Sequence, residues 1–506
     1  MGITAFWGAN NTFLKGEKTS LAEWSAEHFE KYKRPLRIAV DAPCWQYNNP
    51  TQDGVAATQE EHEDSQLAKK AMMYRIFREQ SWNIQHVFVF DGPIKNGAKR
   101  GQTATMAKSE DTALFKELLR HLGIPCHQAR AEAGAECARM QRLGLVDAMW
   151  SDDCDVFMFG CTKLVRFHRV YHGKGQVESN DYVDVYTDQH VLEFFKWQEP
   201  LLEKLVLFAN LSGCDYTEQG LKGIRYRKSS VGIVKWSGTL AKAMCETFTD
   251  NGKPERMDKW REHFQKMLTG QCRNITIPED WPSIEAVDLC YRPKVSSDEV
   301  LCNIPRVCSI SDVLPDTYRF LRENFNRKLR ATWPIEFLTA LELNRKLVGE
   351  KNTRGQWKDI KVEKKTKEDP YNSEKSSLSV RARPQSVISG LAEVQIEGYD
   401  PNEEVECIRL LDCVLRYGLP PDMIPSQAEQ PQDPTEEQAA GAPARQSSGP
   451  TRASAPVRAK RPPPSPEQPS KTPKRTKVLV FSQSSEEDSL SQPEPPGLID
   501  LTGDDE

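Results

Sequence analysis

Short apolar runs alternate with helical stretches over roughly the first half of the chain. The runs RIAVDA (37–42) and HVFVFDG (86–92) read as buried strands that end at an aspartate, and VDAMWSDDCDVFMFG (146–160) reads as two further short strands around an acidic turn. Residues 65–80 and 110–122 carry a helical pattern. This alternation predicts an α/β fold in which helices flank a mixed, largely parallel sheet.

The pattern becomes helical from about residue 200 and changes again toward the C-terminus. EPLLEKLVLFANLSG (199–213) is followed by a glycine-containing turn and by a second predicted helix near 229–245. The stretch 370–420 contains a strand-like SVRARP and a helix-like EEVECIRLLDCVLRYGL, which predict a small accessory domain. After about residue 424 the chain is rich in Pro, Ser, Gln and Glu, which predicts a disordered tail.

The composition, with 38% hydrophobic and 28% charged residues, fits a globular protein with a polar tail. The net charge of -5 does not by itself indicate a nucleic-acid-binding protein, but acidic stretches such as 58–64 mask basic stretches elsewhere. The 13 cysteines form no CxxC pair, so we expect reduced thiols in an intracellular compartment. The sequence predicts neither a secretory signal nor a membrane span.

Aspartates follow or interrupt the apolar runs. In an open α/β sheet, ligands bind outside the carboxyl ends of the strands, where these side chains are expected to lie. Taken singly, each aspartate is better read as solvated or helix-capping. Together they would repel one another, which Mg²⁺ with its preference for oxygen ligands relieves. Two ions about 4 Å apart support in-line phosphodiester displacement. The set comprises Asp41, Asp91, Asp153, Asp155 and Asp215.

Six motifs resemble those of the flap endonuclease/XPG family, in that family's order. The resemblance extends from residue 1 to about 245 and implies a PIN-like nuclease core with two Mg²⁺ ions. It also implies a helix–two-turn–helix that binds duplex phosphates with help from K⁺. Asp152 is read as a neighbour of the metal ligands or as solvated. The motifs are MGI, RIAVDA with Asp41, VFVFDG with Asp91, AEAGAECA with Glu132, SDDCDVFMFG with Asp153 and Asp155, and LSGCDYTEQGLKGI with Asp215.

One departure from the family pattern affects the predicted metal site. The family reads Glu-Ala-Glu-Ala where this chain reads AEAGAECA, so Gly134 replaces a carboxylate that normally binds metal directly or through water. Glu136 lies four residues after Glu132, on the same face once a helix has begun, and is the candidate replacement ligand.

Further departures concern residues expected to contact DNA. The family's Gly-Ile-Gly turn reads Gly-Ile-Arg here. Whether this turn binds K⁺ is therefore an open question, and basic residues are the alternative source of phosphate contacts. The basic pair that follows the FDG motif in the family lies at other positions in this chain. The candidate residues either steer the scissile phosphate or belong to a solvated loop. Tyr47 is read either as stacking on an unpaired base or as core packing, and Trp45 as core packing. The basic candidates are Lys222, Arg225, Arg227 and Lys228 at the turn, and Lys95, Lys99 and Arg100 after the FDG motif.

The spacing of the motifs resembles one branch of the family. Only 40 residues separate Asp91 from Glu132, whereas flap endonucleases proper have a longer helical arch there. The short insertion resembles the Holliday junction resolvase branch, in which a chromodomain-like module follows the core. We predict five segments: two parts of the nuclease core, a helix–two-turn–helix with the helices after it, an accessory domain that is either chromodomain-like or an unassigned appendage, and a regulatory tail. Their bounds are 1–105, 106–205, 206–345, 346–422 and 423–506.

The tail contains short motifs that resemble regulatory elements. Two basic patches resemble a bipartite nuclear import signal, and Thr472 before Pro473 resembles a cyclin-dependent kinase site whose phosphate would weaken import. The last residues resemble a SUMO-interaction motif, with Ile499 and Leu501 in its apolar strand. The alternative is a tail that only aids solubility. The first patch is Lys460 and Arg461, and the second contains Lys471, Lys474, Arg475 and Lys477.

The sequence therefore predicts a nuclear, Mg²⁺-dependent endonuclease that incises branched double-stranded DNA, such as 5′ flaps and four-way junctions, in recombination or repair. Expected partners are this DNA, a second copy of the chain on four-way junctions, SUMO and an import receptor, with no membrane. The alternative is a protein of nuclease fold that binds DNA junctions and cleaves them weakly or not at all.

Overall fold

The structure is a computed structural model that describes most of the chain up to residue 425. The chain divides by its contacts into Met1–Ala428 and Glu429–Glu506, and all described residues belong to the first unit. The predicted disorder of the tail, and every motif assigned to it, lie outside them. The described residues are 3, 6–9, 12–47, 61–94, 106–172, 175–217, 220–224, 227–249, 252–271, 275–307, 314–325, 332–349, 357, 359–363, 377–391, 400 and 404–425.

The strands form three sheets within this part of the chain. Their bounds are β1 (Gly8–Ala9), β2 (Thr12–Phe13), β3 (Glu17–Ser20), β4 (Leu36–Asp41), β5 (Ile84–Phe90), β6 (Cys126–Gln128), β7 (Ala148–Trp150), β8 (Lys163–His172), β9 (Gly175–Thr187), β10 (Ile360–Val362), β11 (Ser377–Ala382) and β12 (Val405–Leu411).

The helices flank the sheets and predominate between residues 200 and 350. They are α1 (Leu21–Tyr32), α2 (Ala42–Tyr47), α3 (Glu61–Ser81), α4 (Met106–His121), α5 (Ala133–Arg142), α6 (Asp155–Met158), α7 (Asp188–Phe195), α8 (Leu201–Ser212), α9 (Arg227–Trp236), α10 (Leu240–Thr247), α11 (Pro254–Gln271), α12 (Ile284–Tyr291), α13 (Asp298–Cys302), α14 (Leu314–Asn324), α15 (Trp333–Val348), α16 (Pro384–Val387) and α17 (Asp412–Gly418), followed by a 3₁₀ turn at Pro421–Met423.

The largest sheet has seven strands in the order β3-β9-β8-β7-β4-β5-β6. Its four pairings from β8 to β6 are parallel, and β9 pairs antiparallel with both β8 and β3. The parallel strands are short apolar runs covered by helices, because both faces of such a sheet must be buried. The predicted mixed, largely parallel α/β fold is confirmed.

Three predicted elements were wrong. Asp155–Met158 (DVFM) in the acidic motif form α6, a single helical turn, rather than a strand. The helix predicted near 229–245 is two helices, α9 and α10, because Gly238 adopts a left-handed backbone with φ of 54° between them. The helix predicted from EEVECIRLLDCVLRYGL begins instead as β12, since Val405–Leu411 pair with β11, and only its second half forms α17.

The accessory region packs onto the core instead of standing apart from it. β10, β11 and β12 form an antiparallel sheet, and α15 packs against β12, α17 and α3. One hydrophobic cluster contains Phe77 of α3, Leu338 of α15 and Leu410 of β12. Helix α15 therefore joins the small sheet to the part of the chain that contains the large sheet. Among the described residues, no helix combines the length and apolar character needed to cross a bilayer.

A buried carboxyl on β9 predicts a pH effect on stability. Burial, only partly offset by Arg75 and Arg169, raises the pKa of Glu178 from 4.5 to about 7. The folded chain therefore holds a proton that the unfolded chain has lost. We expect the free energy of unfolding to fall as pH rises from 4.5 to about 7, by at most about 3 kcal/mol.

Denaturant unfolding of the parent and of Glu178→Gln across this pH range measures the effect. Glutamine does not titrate, so the variant should lose this part of the pH dependence. Glu193→Gln, at an exposed position on α7, serves as the control and should behave like the parent. An unaltered pH profile in Glu178→Gln would contradict the raised pKa.

Candidate metal centre

The carboxyl ends of three neighbouring parallel strands carry acidic residues. β4 lies between β5 and β7 and ends at Asp41, Asp91 directly follows β5, and the segment 151–153 directly follows β7. Parallel strands present their carboxyl ends at one edge, so the sheet itself brings these side chains toward each other. We call Asp41, Asp91, Glu132, Asp153, Asp155 and Asp215 the carboxylate edge.

A chain of hydrogen bonds through Ser151 joins three of these carboxylates. The Ser151 hydroxyl donates to Asp41 Oδ2 at 2.7 Å and accepts from the backbone N–H of Asp153 at 3.1 Å. Asp153 Oδ1 in turn accepts from the backbone N–H of Asp155 at 3.1 Å. Asp155 Oδ1 also accepts from the backbone N–H of Ile3 at 2.6 Å. These bonds fix the directions in which the three side chains point.

The beginning of α5 connects the second strand end to the same edge. The backbone N–H of Ala133, the first residue of α5, donates to Asp91 Oδ1 at 3.0 Å. A Cβ atom at Gly134 would lie 3.9 Å from Asp41 Oδ2 and 3.2 Å from Val156 Cγ1. The first turn of α5 therefore lies between Asp91 and Asp41, and any side chain at position 134 would enter the carboxylate edge.

Glu132 and Asp215 reach the edge from outside the sheet. Glu132 is the N-cap residue of α5 and accepts a hydrogen bond from the hydroxyl of Tyr216, in the turn after α8. Burial, and then the Glu132 carboxylate, raise the pKa of Tyr216 well above its usual range, so its hydroxyl stays protonated. Asp215 precedes Tyr216 in this turn and is close enough to Asp155 to help raise the pKa of that buried carboxyl.

Asp155 shows the electrostatic strain of the cluster. It is 3% exposed, and burial raises its pKa well above the usual range, with further contributions from Asp153, Cys214 and Asp215. Ligand atoms of Asp153, Cys154 and Asp155 lie within 4.8 Å of one another. Oxygen donors held this close, one of them buried, are the kind of set that a hard divalent cation binds.

A metal ligand needs a carboxylate oxygen that is free to bind the ion. The Glu136 carboxylate is instead occupied by other partners. The helix begins at Ala133, as that prediction needed, but His127 Nε2 lies 2.7 Å from Glu136 Oε1, and the backbone N–H of Ser296 donates to Oε2 at 3.0 Å. The side chain is fully buried against these partners. Because its oxygens are already used, we do not retain Glu136 as a metal ligand.

Asp152, the acidic neighbour of the edge, pairs with two arginines. Its carboxylate accepts from Arg166 at 3.2 Å and from Arg169 at 3.0 Å. It therefore belongs to an ion-pair network on β8. Trp45, predicted to be core packing, is 1% exposed and lies edge-on to Trp150 and Phe88.

Only some of the residues predicted to contact DNA belong to the part of the chain that the structure describes. α8 and α9 are separated by a turn at Cys214–Thr217 and a second at Gly220–Ile224, where Lys222 is exposed and Gly223 has a left-handed φ of 98°. Arg227 and Lys228 are the first two residues of α9, but their side chains, like that of Tyr47 at the end of α2, lie outside the described parts. Arg225, Lys95, Lys99 and Arg100 lie outside the described residues altogether.

Sequence comparisons place part of this region in a known family. The XPG I-region matches residues 123–215, which contain α5, β7 and Asp215. The DNA repair protein RAD2 of Saccharomyces cerevisiae is 32% identical over 216 residues, covering 42% of this chain and 20% of that protein. Flap endonuclease 1 of Pyrococcus abyssi is 37% identical over 162 residues, covering 31% of this chain and 47% of that protein. The chain thus spans less than half the length of these relatives.

Solved structures resemble a larger share of the chain than these sequence relatives cover. The junction-resolving enzyme GEN-1 with cesium has a TM-score of 0.61 at 25% identity, covering 80% of this chain and 94% of that one. GEN1 with product DNA and Mg²⁺, and GEN-1 with potassium, each have a TM-score of 0.58 with the same identity and coverage. The acidic edge of the sheet and the two-turn helix pair define a nuclease fold of the flap endonuclease type. The chain therefore resembles nucleases of the XPG/flap endonuclease family, in sequence over the XPG I-region and in fold over most of the described residues.

Proposed function

We propose that this protein is a divalent-metal-dependent endonuclease that incises branched DNA, with 5′ flaps and four-way junctions as its substrates. The observation that supports it most is the hydrogen-bonded chain from Asp41 through Ser151 to Asp153 and Asp155, with Asp91 attached through α5. Enzymes of similar fold have been solved with product DNA and Mg²⁺. We extend that chemistry to this chain.

The residues of the carboxylate edge fit Mg²⁺. They are hard oxygen donors, their directions are held by backbone N–H groups and by Ser151, and the buried Asp155 has close acidic neighbours that a cation would neutralise. Asp41, Asp91, Glu132, Asp153, Asp155 and Asp215 would hold the ions. When bound, two such ions supply an activated hydroxide and stabilise the leaving oxygen of a phosphodiester.

The chain's own residues orient this site. Ser151 keeps Asp41 and Asp153 in fixed directions, Tyr216 does the same for Glu132, and the first turn of α5 holds Asp91 by a backbone N–H. The exposed Lys222 lies in the turn before α9, where duplex phosphates would contact the protein. We assign phosphate contacts there also to Arg225, Arg227 and Lys228, and the K⁺ ion to the same turn.

Incubation of the purified protein with labelled DNA tests this function. A 5′ flap, a four-way junction and a plain duplex of matched sequence are compared with Mg²⁺ and with EDTA. We expect incision of the two branched substrates that requires Mg²⁺, and little incision of the duplex. Equal cutting of duplex and branched DNA would contradict structural specificity, and cutting in EDTA would contradict metal dependence.

Gly134 favours a second candidate function, that of a junction-binding protein with weak cleavage. The glycine leaves the carboxylate edge with one acidic group fewer than the family pattern, and Glu136 is occupied elsewhere. In that case the protein binds four-way junctions tightly in a gel-shift assay and cuts them slowly at saturating Mg²⁺. A single-turnover rate typical of an efficient nuclease would exclude it.

Ser151→Ala should reduce incision without unfolding the chain. The substitution removes the hydroxyl that holds Asp41 Oδ2 and the N–H of Asp153, and groups that orient metal ligands typically contribute about tenfold to a hundredfold. Single-turnover rates measured over a range of Mg²⁺ concentrations give the size of the loss. Ser179→Ala on β9, whose hydroxyl accepts only from its own strand in the described contacts, is the control. Parental rates in Ser151→Ala would remove this serine from the mechanism.

We further propose that the protein acts in the nucleus and that its tail controls import. The support is the pair of basic patches around Lys460 and Lys474, with Thr472 inside the second patch. Thr472→Glu, and separately Lys474→Ala with Arg475→Ala, should lower nuclear accumulation, because both reduce positive charge in the second patch. Microscopy of tagged variants measures this, with Thr451→Glu as the control. Unchanged nuclear signal in both variants would leave only a solubilising role for the patches.

A further inference from the structure

A cavity of about 370 Å³ opens at the edge of the large sheet, next to Asp91 but outside the carboxylate edge. It is bounded by α4 and by β6, the last strand of the sheet. Its apolar lining is Phe90, Ile124 and Cys126, and its polar lining is Lys116, Arg120, His127 and Gln128. The volume is at the lower end for small-ligand sites, so the cavity admits a single nucleotide and excludes duplex DNA.

The charge in this cavity comes mainly from Lys116. Its ammonium lies 4.5 Å from the centre of the Phe90 ring and donates to Gln128 Oε1 at 2.8 Å. Among the described residues, no carboxylate lies within ion-pair distance of Lys116, whereas Arg120 is paired with Glu117 at 2.6 Å. Burial raises the pKa of Cys126 to about 11, so the thiol adds no negative charge. The cavity therefore favours an anion.

The cavity is coupled to the carboxylate edge by one hydrogen bond. Gln128 accepts from Lys116 and donates through its Nε2 to the backbone carbonyl of Asp91. An anion that binds Lys116 competes with Gln128 for the ammonium, and the Phe90 ring, which is 4% exposed, borders the same cavity. An aromatic face beside a cation suits a nucleobase with its phosphate, since base stacking tolerates any sequence.

We propose that this cavity binds one unpaired nucleotide of the DNA strand that passes the carboxylate edge, with the phosphate at Lys116 and the base against Phe90. The proposal rests on the proposed function, because it needs branched DNA at that edge. A free mononucleotide has the same chemistry and is the other possible source. The cavity gives the protein a contact with single-stranded DNA that no residue of the carboxylate edge provides.

Photocrosslinking in EDTA tests the proposal without requiring cleavage. The full-length protein is irradiated with flap DNA that carries a single 4-thiothymidine, either in the unpaired strand next to the branch or in the duplex, and crosslinked peptides are sequenced. We expect the unpaired position to crosslink to Phe90 or to the segment that contains Ile124, Cys126 and Gln128, and the duplex position to neither. Lys116→Ala should lower this crosslink about tenfold, and Lys242→Ala, at a lysine on α10, should leave it unchanged.

Three results would overturn the proposal. They are crosslinks from the unpaired nucleotide that map elsewhere, equal crosslinking in Lys116→Ala, and equally efficient crosslinking of free 4-thiothymidine monophosphate, which would make this a mononucleotide site. A protein that crosslinks at this segment but never cuts DNA would refute the nuclease function and leave the cavity assignment standing. A protein that cuts flaps normally but crosslinks elsewhere would refute the cavity alone.

Discussion

Asp153→Asn should reduce the single-turnover incision rate about a hundredfold to a thousandfold. Metal ions contribute several kcal/mol of charge stabilisation in the transition state, and each 1.4 kcal/mol corresponds to about tenfold in rate. Asparagine retains a side-chain oxygen that can accept from the backbone N–H of Asp155, so the local hydrogen bond survives while the negative charge is lost. Junction binding should stay close to the parental value, because it depends on phosphate contacts elsewhere.

The control for Asp153→Asn is Asp181→Asn, which removes one negative charge from an exposed position on β9. Incision, gel-shift affinity and thermal unfolding are measured for both variants at several Mg²⁺ concentrations. A parental incision rate in Asp153→Asn would show that this carboxylate is not part of the mechanism. A loss of binding that matches the loss of incision would assign it to DNA contact instead.

Gly134→Glu should raise the incision rate about tenfold or more, equivalent to about 1.4 kcal/mol of barrier. The Cβ atom of the new side chain would lie 3.9 Å from Asp41 Oδ2, so its carboxylate would enter the set that we expect to bind metal. The side chain of Val156 must yield a few tenths of an ångström, because its Cγ1 would lie 3.2 Å from the new Cβ. The rate is measured in single turnover with saturating Mg²⁺ and at limiting Mg²⁺.

Gly134→Gln and Gly134→Ala are controls that separate the effect of the added charge in Gly134→Glu from the effect of the added side-chain volume. All three substitutions place a Cβ 3.2 Å from Val156 Cγ1 and share that steric cost, but only glutamate adds a charge. Glu136→Gln should lower stability by about 1–3 kcal/mol, since its amide cannot accept every bond made by His127 and Ser296, while the Mg²⁺ dependence stays parental. A strongly weakened Mg²⁺ dependence in Glu136→Gln, with no gain in Gly134→Glu, would restore Glu136 as the ligand.

The strand ends could be predicted because local signals and tertiary structure agree there. RIAVDA and HVFVFDG are apolar runs of strand length that end at an aspartate, and both became parallel strands with the aspartate at the carboxyl end. α6 was missed because a run of four apolar residues has no periodicity that separates a strand from a helical turn. β12 was missed because its conformation depends on pairing with β11, which lies about thirty residues away in sequence.

The groups that orient the predicted ligands could not be predicted from sequence patterns. Ser151 acts on Asp41, 110 residues away, and Tyr216 acts on Glu132 from the turn after α8. A serine between a strand and an acidic pair, or a tyrosine after an aspartate, has many ordinary roles. The partners of Glu136 show the same limit, because Ser296 lies 160 residues further along the chain. Helical spacing alone suggested that Glu136 faces Glu132 and gave no sign of the competing contacts.

The packing of α15 has a consequence for inherited or engineered truncations. Leu338 of α15, Phe77 of α3 and Leu410 of β12 belong to one hydrophobic cluster, and Val414 of α17 belongs to it as well. A stop codon between residues 350 and 400 would spare every member of the carboxylate edge and still remove β12 and α17 from that cluster. The shortened protein should be cleared by cellular quality control, so the genetic phenotype of such an allele would be absence of the protein and not a catalytically altered one.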